Sequence, residues 1–236
     1  MPMKTKTSLQ KEGYLLFESF IPKILITDFK TRLKELYAVR ASTADKVYAE
    51  GKSVENLKNI SVWWSQTVHE FEEFKKIKRL IDPIITNNVD NFNFYASDVV
   101  TIKAGSQWIS PHVDTPYRFK KFNYDNRLLG VQAIVTLGDI DQSSASTGLV
   151  PYSHKREFDI DKCYTGVYDR WFKENVKQYT MPVGTLLLYH CRLLHSSMPN
   201  HTDQDRPALL LNYLDKSIIS EVSEIDNVWT SNGKRS

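Results

Sequence analysis

Apolar side chains recur every three or four positions in two segments of the first ninety residues, between residues 24 and 37 and between residues 69 and 88. This spacing predicts two amphipathic helices. Pro83 lies within the second segment, where its missing N–H favours a kink or a restart of the helix. The run GYLLFESF, ahead of the first helix, predicts a strand. Residues 1–95 are therefore predicted to form a mostly helical support layer, with the polar stretch 42–57 as a loop or a frayed helix.

The pattern changes at about Ser97, where short β-branched or apolar runs alternate with clusters of Gly, Pro, Asp, Asn and Ser. The runs are SDVVTIK, WISPHVD, LLGVQAIVTL, STGLVPYS, KQYTMPVG, TLLLYHC, LLHSSM and RPALLLNYL. About eight strands close two antiparallel sheets into a jelly roll. We therefore expect one mainly β domain over residues 1–236 with flanking helices, a double-stranded β-helix (jelly-roll, cupin-like) core at 96–216, and a C-terminal tail at 217–236. Residues 159–177 are expected to be a partly helical insertion.

The composition fits one ordinary globular domain. The chain has 236 residues, 41% of them apolar and 25% charged, and its net charge is +3. So small a charge gives no reason to expect a nucleic-acid partner, and no apolar run approaches the roughly 18 residues that span a bilayer. The N-terminal residues do not have the pattern of a secretion signal. Cys163 and Cys191 lack the spacing of a redox or metal motif, so we expect reduced thiols in a cytoplasmic protein.

The heptapeptide SPHVDTP at residues 110–116 contains the first candidate chemistry. In an extended chain residues i and i+2 point to the same face, so His112 and Asp114 would direct an imidazole and a carboxylate to a common point. Pro111 and Pro116 suit a strand end, where a missing N–H does no harm. The spacing alone is weak evidence for a metal site, since a solvated His–Asp pair would look the same.

A third ligand is available further along the chain. His195 lies in VGTLLLYHCRLLHSSMPN, within apolar strand-like sequence, and a buried histidine needs a ligand or a hydrogen bond. Two histidines and one carboxylate form a facial triad that leaves positions open on Fe(II). His190 is the rival residue, and the alternation of the strand does not decide between the two.

Arg206 opens the apolar run RPALLLNYL, eleven residues after His195. An arginine in this position is either a salt-bridge residue at the rim or an anchor for an anion. Its guanidinium is always charged and matches a carboxylate with two parallel hydrogen bonds. Beside an Fe(II) site with open positions, the obvious carboxylate is the far end of 2-oxoglutarate.

Taken together, these segments resemble the phytanoyl-CoA dioxygenase family of Fe(II)- and 2-oxoglutarate-dependent oxygenases. KEGYLLFESFIPKILITDFKTRLKELY is similar to the family's N-terminal strand and helix, and STGLVPYSHK to its N-G-x-L-x-x-x-P-G-S-H-K signature. GTLLLYHCRLLHSSMPNHTDQDRPALLLNYL matches the block G-D-x-x-x-F-H-x-x-x-x-H-x-S-x-x-N…R. Tyr152 departs from the signature, because it stands where the family has glycine.

The resemblance implies a metal site and a reaction. Fe(II) would be bound by His112, Asp114 and His195, which selects His195 over His190. O2 and 2-oxoglutarate would be consumed, succinate and CO2 released, and a small-molecule substrate hydroxylated. The carboxylate of Asp114 favours hydroxylation, because the related halogenases have a small residue at that position.

The resemblance also implies how the cosubstrate is held. Arg206 would anchor the far carboxylate of 2-oxoglutarate, and the Ser197 hydroxyl would contact the same group. Thr101 occupies the position that we align with an Asn or Gln of the family, and is expected to contact 2-oxoglutarate in its place.

Two other functions remain open on the sequence alone: a cupin-type metalloenzyme that does not use 2-oxoglutarate, and a catalytically idle barrel that acts as a binding module. The loop 115–127 is expected to be either a solvent-exposed loop or a lid whose cations meet an anionic group of the substrate. His154 is expected to brace a loop by a hydrogen bond.

Overall fold

The computed structural model describes residues 6–40, 60–63, 66–163 and 165–231. The predicted loop at 42–57 lies outside the described residues. The N-terminal helices are α1 (Lys6–Glu12), α2 (Lys23–Arg40) and α3 (Glu72–Asn88), and a 3-10 helix (Gln66–Glu70) leads into α3. Both amphipathic helices predicted from the apolar spacing are thus present, with ends shifted by a few residues.

Helix α3 runs through Pro83 without interruption. Its buried residues share one face at helical spacing and are Phe74, Ile77, Ile81, Ile84 and Ile85. They pack in one cluster with Phe29 of α2 and with side chains of the sheet. Proline removes a single backbone hydrogen bond from a helix, and the packing of this long apolar face holds the helix together across it.

The main sheet has six antiparallel strands in the order β1-β6-β4-β8-β3-β2. The strands are β1 (Tyr14–Phe17), β2 (Ile60–Trp63), β3 (Phe92–Ile102), β4 (Gly130–Thr136), β6 (Leu186–His190) and β8 (Arg206–Asp215). The two edge strands come from the first 95 residues. That segment therefore does more than form the predicted helical layer, because it also completes both edges of the sheet.

The two faces of the main sheet have different neighbours, and strand β8 shows the alternation. Leu209, Leu211 and Tyr213 pack against the helices, whereas Ala208 belongs to a separate cluster on the opposite, inner face. Residues that lie directly opposite on paired antiparallel strands share a face. The register of each pair therefore assigns every strand residue to the helical face or to the inner face.

A smaller sheet covers the inner face. It consists of β5 (Thr147–Leu149) paired with β7 (His195–Ser197). The predicted strands WISPHVD and KQYTMPVG are not part of a ladder and form isolated bridges instead: His112↔His195 and Leu149↔Lys177 to the small sheet, and Ile140↔Met181 outside it. Each of these segments contains a proline, which cannot donate to a strand ladder. The fold is the expected mainly antiparallel one with flanking helices and jelly-roll layering, but its sheets do not close into a barrel.

Two further helices pack near the end of the chain. Helix α4 (Asp169–Asn175) confirms the helical stretch expected in the insertion, and α5 (Ile219–Ser231) occupies most of the predicted C-terminal tail. Val222 of α5 is fully buried. None of the helices in the described part of the chain is long and apolar enough to cross a membrane.

Candidate active site

His112, Asp114 and His195 come together where the small sheet meets the chain that leads into loop 115–127. His112 and His195 exchange both backbone hydrogen bonds, each at 3.0 Å, which places the two residues side by side. The backbone N–H of Asp114 donates to the carbonyl of Cys191 at 2.8 Å. His112 is therefore held against the strand that carries the third residue, and Asp114 is held against the chain just after β6.

One ligand atom from each of these three residues lies within 4.8 Å of the others. His195 Nε2 is 3.4 Å from Asp114 Oδ2, and the two imidazole rings are 4.3 Å apart between centroids. Each ring donates its Nδ1–H to a backbone carbonyl, His112 to Ser110 at 3.1 Å and His195 to Leu193 at 2.9 Å. Because Nδ1 carries the proton, each Nε2 keeps the lone pair that a metal requires.

The electrostatics favour the ligand forms of these groups. Burial, followed by the effect of neighbouring His195, lowers the pKa of His112 to about 4, so its imidazole is neutral near pH 7. Burial alone would raise the pKa of Asp114, but His195, His112 and the Tyr189 hydroxyl together hold it below its usual value. A neutral imidazole at His112 and an ionised carboxylate at Asp114 are the forms of these two groups that bind a metal in the predicted facial triad.

Arg206 is buried, and no carboxylate among the residues that the structure describes forms an ion pair with it. Its side chain is on the inner face of β8, opposite Ile102, and it is 6% exposed. Nη2 donates to Thr147 Oγ1 at 3.2 Å, while Nε has no hydrogen-bond partner among the described residues. Burial lowers the pKa of this guanidinium to about 10. A buried cation with an unsatisfied N–H is the chemistry of an anion site.

Ser197 lies on the same face as His195, because the two residues are two positions apart in β7. It is directly opposite Thr147 in the β5–β7 pair, and Thr147 accepts from Arg206. Ser197 and Thr147 therefore share a face of the small sheet, and the contact of the Ser197 hydroxyl with 2-oxoglutarate stays a prediction.

Thr101 is not brought into this group. It lies opposite Pro207 in the β3–β8 pair, whereas Arg206 lies opposite Ile102. Since successive strand residues alternate between faces, the Thr101 side chain is on the helical face and Arg206 is on the inner face. The register therefore gives no support to the expected contact between Thr101 and 2-oxoglutarate, which stays a prediction.

His190 is separated from the triad by the same alternation. Tyr189 faces the inner side of β6, where its hydroxyl contacts Asp114 and His195. The next residue, His190, turns the other way and packs against His154, with 5.0 Å between ring centroids. The Nε2–H of His154 donates to the carbonyl of Gln10 at 3.0 Å, as expected of a residue that braces a loop.

Loop 115–127 is packed into the domain rather than spread over it. Tyr117, Phe119 and Phe122 are buried in one cluster with Val222 of α5. The basic residues of the loop form ion pairs with acidic groups of the chain, which are Arg118–Asp226, Lys120–Asp161, Lys121–Glu221 and Arg127–Asp125. These three aromatic side chains of the loop are thus buried, while its basic side chains stay solvent-exposed within ion pairs, and the role of the loop as a lid stays a prediction.

Two residues of this region were not predicted from the sequence. Thr147 bonds Arg206, and no local pattern distinguishes it from other strand threonines. Tyr189 is 1% exposed and donates to Asp114 Oδ2 at 2.7 Å. The sequence did contain one indication for Tyr189: side chains alternate along this strand, so Tyr189 lies on the face opposite to that of its neighbour His190.

Comparisons with known proteins agree with this picture. Residues 9–208 match the family model described as phytanoyl-CoA dioxygenase (PhyH). No curated protein matches the sequence. Among solved structures, the chain resembles the epimerase SnoN in complex with Fe3+, alpha ketoglutarate and nogalamycin RO, with 16% identity, a TM-score of 0.71, and coverage of 90% of this chain and 82% of that chain.

Two further solved structures have the same fold. EctD from S. alaskensis with bound Fe gives 18% identity and a TM-score of 0.71 over 90% of this chain and 76% of that one. HygX from Streptomyces hygroscopicus, with nickel and 2-oxoglutarate bound, gives 15% identity and a TM-score of 0.62 over 88% and 85% of the two chains. The family match covers most of the sequence, including His112, Asp114, His195 and Arg206. The chain belongs to the phytanoyl-CoA dioxygenase family of Fe(II)- and 2-oxoglutarate-dependent oxygenases.

Proposed function

We propose that this protein is an Fe(II)- and 2-oxoglutarate-dependent dioxygenase that hydroxylates a small molecule and releases succinate and CO2. The observation that carries the proposal is the position of two sites on one inner face. A His–His–Asp cluster is poised for a metal, and a buried arginine with an unsatisfied N–H lies across the β5–β7 pair from it.

The triad would hold the metal through His112 Nε2, His195 Nε2 and an Asp114 oxygen. Backbone carbonyls fix both rings, so the histidines need no rearrangement to present their lone pairs. When bound, Fe(II) supplies the activation of O2 that is coupled to oxidative decarboxylation of 2-oxoglutarate. Three protein ligands leave the remaining positions of a six-coordinate ion for the cosubstrate and O2.

Arg206 would bind the far carboxylate of 2-oxoglutarate. Its Nη2 is oriented by Thr147, and its Nε is a donor still to be satisfied. Ser197, opposite Thr147, would add a hydroxyl donor to the same carboxylate. Because the site is buried, the charge pair between Arg206 and the cosubstrate would be little screened by solvent. The arginine therefore both selects a dicarboxylate and sets its direction towards the metal.

We further propose that the substrate is a small metabolite or natural product rather than a fatty acyl-CoA. A CoA ester carries several phosphate charges and would call for unpaired cations near the site. The basic residues of loop 115–127 are instead paired with acids. The fold is shared with SnoN, whose structure is a complex with nogalamycin RO, and this likeness supports a natural-product substrate.

The test is Fe(II)-dependent formation of succinate from 2-oxoglutarate by the purified chain in air, measured by mass spectrometry. The wild type is expected to form succinate above the enzyme-free background, and His195→Ala and Asp114→Ala are expected to fall to that background. His201→Ala is the matched control, because His201 is an exposed histidine outside the site, and it should retain wild-type turnover.

Other outcomes identify the rival functions. A wild type that binds Fe(II) but leaves 2-oxoglutarate unchanged would point to a cupin-type metalloenzyme, and one that binds neither would point to an idle binding module. The reaction type is tested with a metabolite extract under ¹⁸O2. Hydroxylation places one label in the product, whereas a product without label would indicate an outcome such as the epimerisation or ring closure named for SnoN and SnoK.

A further inference from the structure

The hydroxyl of Tyr189 lies against the ligand atoms of the proposed metal site. It is 2.7 Å from Asp114 Oδ2 and 3.2 Å from His195 Nε2. The ring packs on the His195 imidazole, with 4.7 Å between centroids, and the side chain is buried on the inner face of β6. The geometry therefore places a phenol directly beside two of the three proposed ligands.

The direction of these bonds follows from the groups themselves. An ionised carboxylate can only accept, so the single proton of the phenol goes to Asp114. His195 Nδ1 donates to Leu193, so His195 Nε2 carries a lone pair and receives no proton from a phenol already bonded to Asp114. Tyr189 thus fixes the rotation of the carboxylate and leaves the imidazole nitrogen available.

We propose that Tyr189 is a positioning residue, which holds Asp114 in the rotamer that binds the metal and so sets the metal affinity. The inference rests on the function proposed above and extends it to a residue outside the triad. The backbone N–H of Asp114 donates to the carbonyl of Cys191, while the side chain is partly open to solvent, at 26% exposure. Without the phenol, Asp114 Oδ2 would lose a 2.7 Å hydrogen bond and keep the longer 3.4 Å contact to His195 Nε2, so its rotamer would be less well fixed before the metal binds. Partners of this kind typically contribute about 10–100-fold to metal affinity.

The chain offers a matched control for the loss of one buried phenol–carboxylate bond. Tyr213 donates to Asp82 Oδ1 at 2.9 Å, and its ring is also buried. This pair lies on the helical face of the sheet, away from the triad. Tyr213→Phe and Tyr189→Phe each remove one hydroxyl and keep the ring, so a general effect on folding should appear in both variants.

The experiment is an anaerobic titration of the full-length, metal-free protein with Co(II), followed by visible absorption. We expect Tyr189→Phe to bind Co(II) about 10–100-fold more weakly than the wild type, with an altered band shape, and Tyr213→Phe to bind like the wild type. An affinity of Tyr189→Phe within twofold of the wild type would overturn the inference and leave the proposed function intact. A wild type that does not bind Co(II) would overturn both.

A second measurement uses the wild-type protein alone and so does not depend on the folding of a variant. Binding of Co(II) to the wild type should change the surroundings of the Tyr189 hydroxyl, and therefore produce a near-ultraviolet difference spectrum of tyrosine that saturates at the same metal concentration as the visible band. A visible band that saturates with no tyrosine signal would mean that the phenol does not sense the metal, and would count against the inference.

Discussion

Replacing Arg206 with methionine should make the ligand-free protein at least as stable as the wild type, while it removes the binding of 2-oxoglutarate. The side chain is 6% exposed, and within the described part of the chain it has no acidic partner and its Nε has no hydrogen-bond acceptor. A charge in this setting opposes folding. Methionine fills a similar volume without a charge, and the exchange of buried ionic groups for apolar ones of like volume is often neutral or stabilising.

The size of the effect follows from the pKa of Arg206. Burial lowers this pKa from an ordinary value of 12.5 to about 10. Since one pKa unit corresponds to about 1.4 kcal/mol, the charged form of Arg206 is about 3 kcal/mol less favourable in the folded protein than in water. Loss of the hydrogen bond to Thr147 offsets about 1 kcal/mol of this gain. For binding, loss of a buried charge partner costs about 2–5 kcal/mol, or roughly 30- to 5,000-fold in the dissociation constant of 2-oxoglutarate.

The assay has two parts. Urea denaturation of the metal-free proteins gives the free energies of unfolding, and calorimetric titration of the Co(II)-loaded proteins gives the affinity for 2-oxoglutarate. Arg206→Lys serves as the second variant, because it keeps the charge but loses the planar guanidinium. Its affinity for 2-oxoglutarate should lie between those of the wild type and Arg206→Met. If Arg206→Met folded and bound 2-oxoglutarate as tightly as the wild type, the role of this residue as anchor would be refuted. A loss of more than about 3 kcal/mol in stability would refute the argument that its charge opposes folding.

Two further predictions concern the surroundings of the site. Tyr117→Phe should lower the free energy of unfolding by about 1–3 kcal/mol, because the buried hydroxyl donates to the carbonyl of Arg127 and accepts from the N–H of Leu129. Tyr124→Phe, at an exposed position of the same loop, should change the free energy of unfolding little. Equal effects of the two substitutions in urea denaturation would contradict this prediction. Burial, with smaller effects of His154 and Arg192, holds the pKa of His190 well below its ordinary value. Below about pH 6.5 the unfolded chain therefore takes up a proton at this residue that the folded chain does not, and His190 contributes a loss of stability of up to about 1.4 kcal/mol for each unit by which the pH falls. His190→Gln should flatten this slope in urea denaturation of the metal-free protein, and parallel curves would show that His190 is not the group responsible.

The sequence predicted most of the fold because its signals are local. The apolar spacing of the two helices and the alternation of the strand runs reflect which side of each element is buried, and the described elements follow them closely. The segments around Pro111 and Pro182 were over-assigned as strands, since their apolar content suits a sheet whereas their prolines permit only isolated bridges. The ion pairs of loop 115–127 could not be predicted from the sequence, because the acidic partners of Arg118, Lys120 and Lys121 lie in elements far away in sequence.

The sequence by itself determined the fold class, the family and the identity of the candidate ligands, because residue types and spacings within a strand carry that information. Only the tertiary structure decided which strand residues face the candidate site, because the spacing within one strand does not show which of its faces is turned inwards. The register of β3 with β8 places Thr101 on the helical face and Arg206 on the inner face, and the register of β6 with β4 fixes His190 opposite Val131, on the face away from the triad. The contact between Tyr189 and Asp114 could not be predicted from the sequence, because the two residues are seventy-five positions apart and meet only in the folded chain. Pairing between distant segments is set by packing of the whole domain, and a one-residue change of register would exchange the two faces.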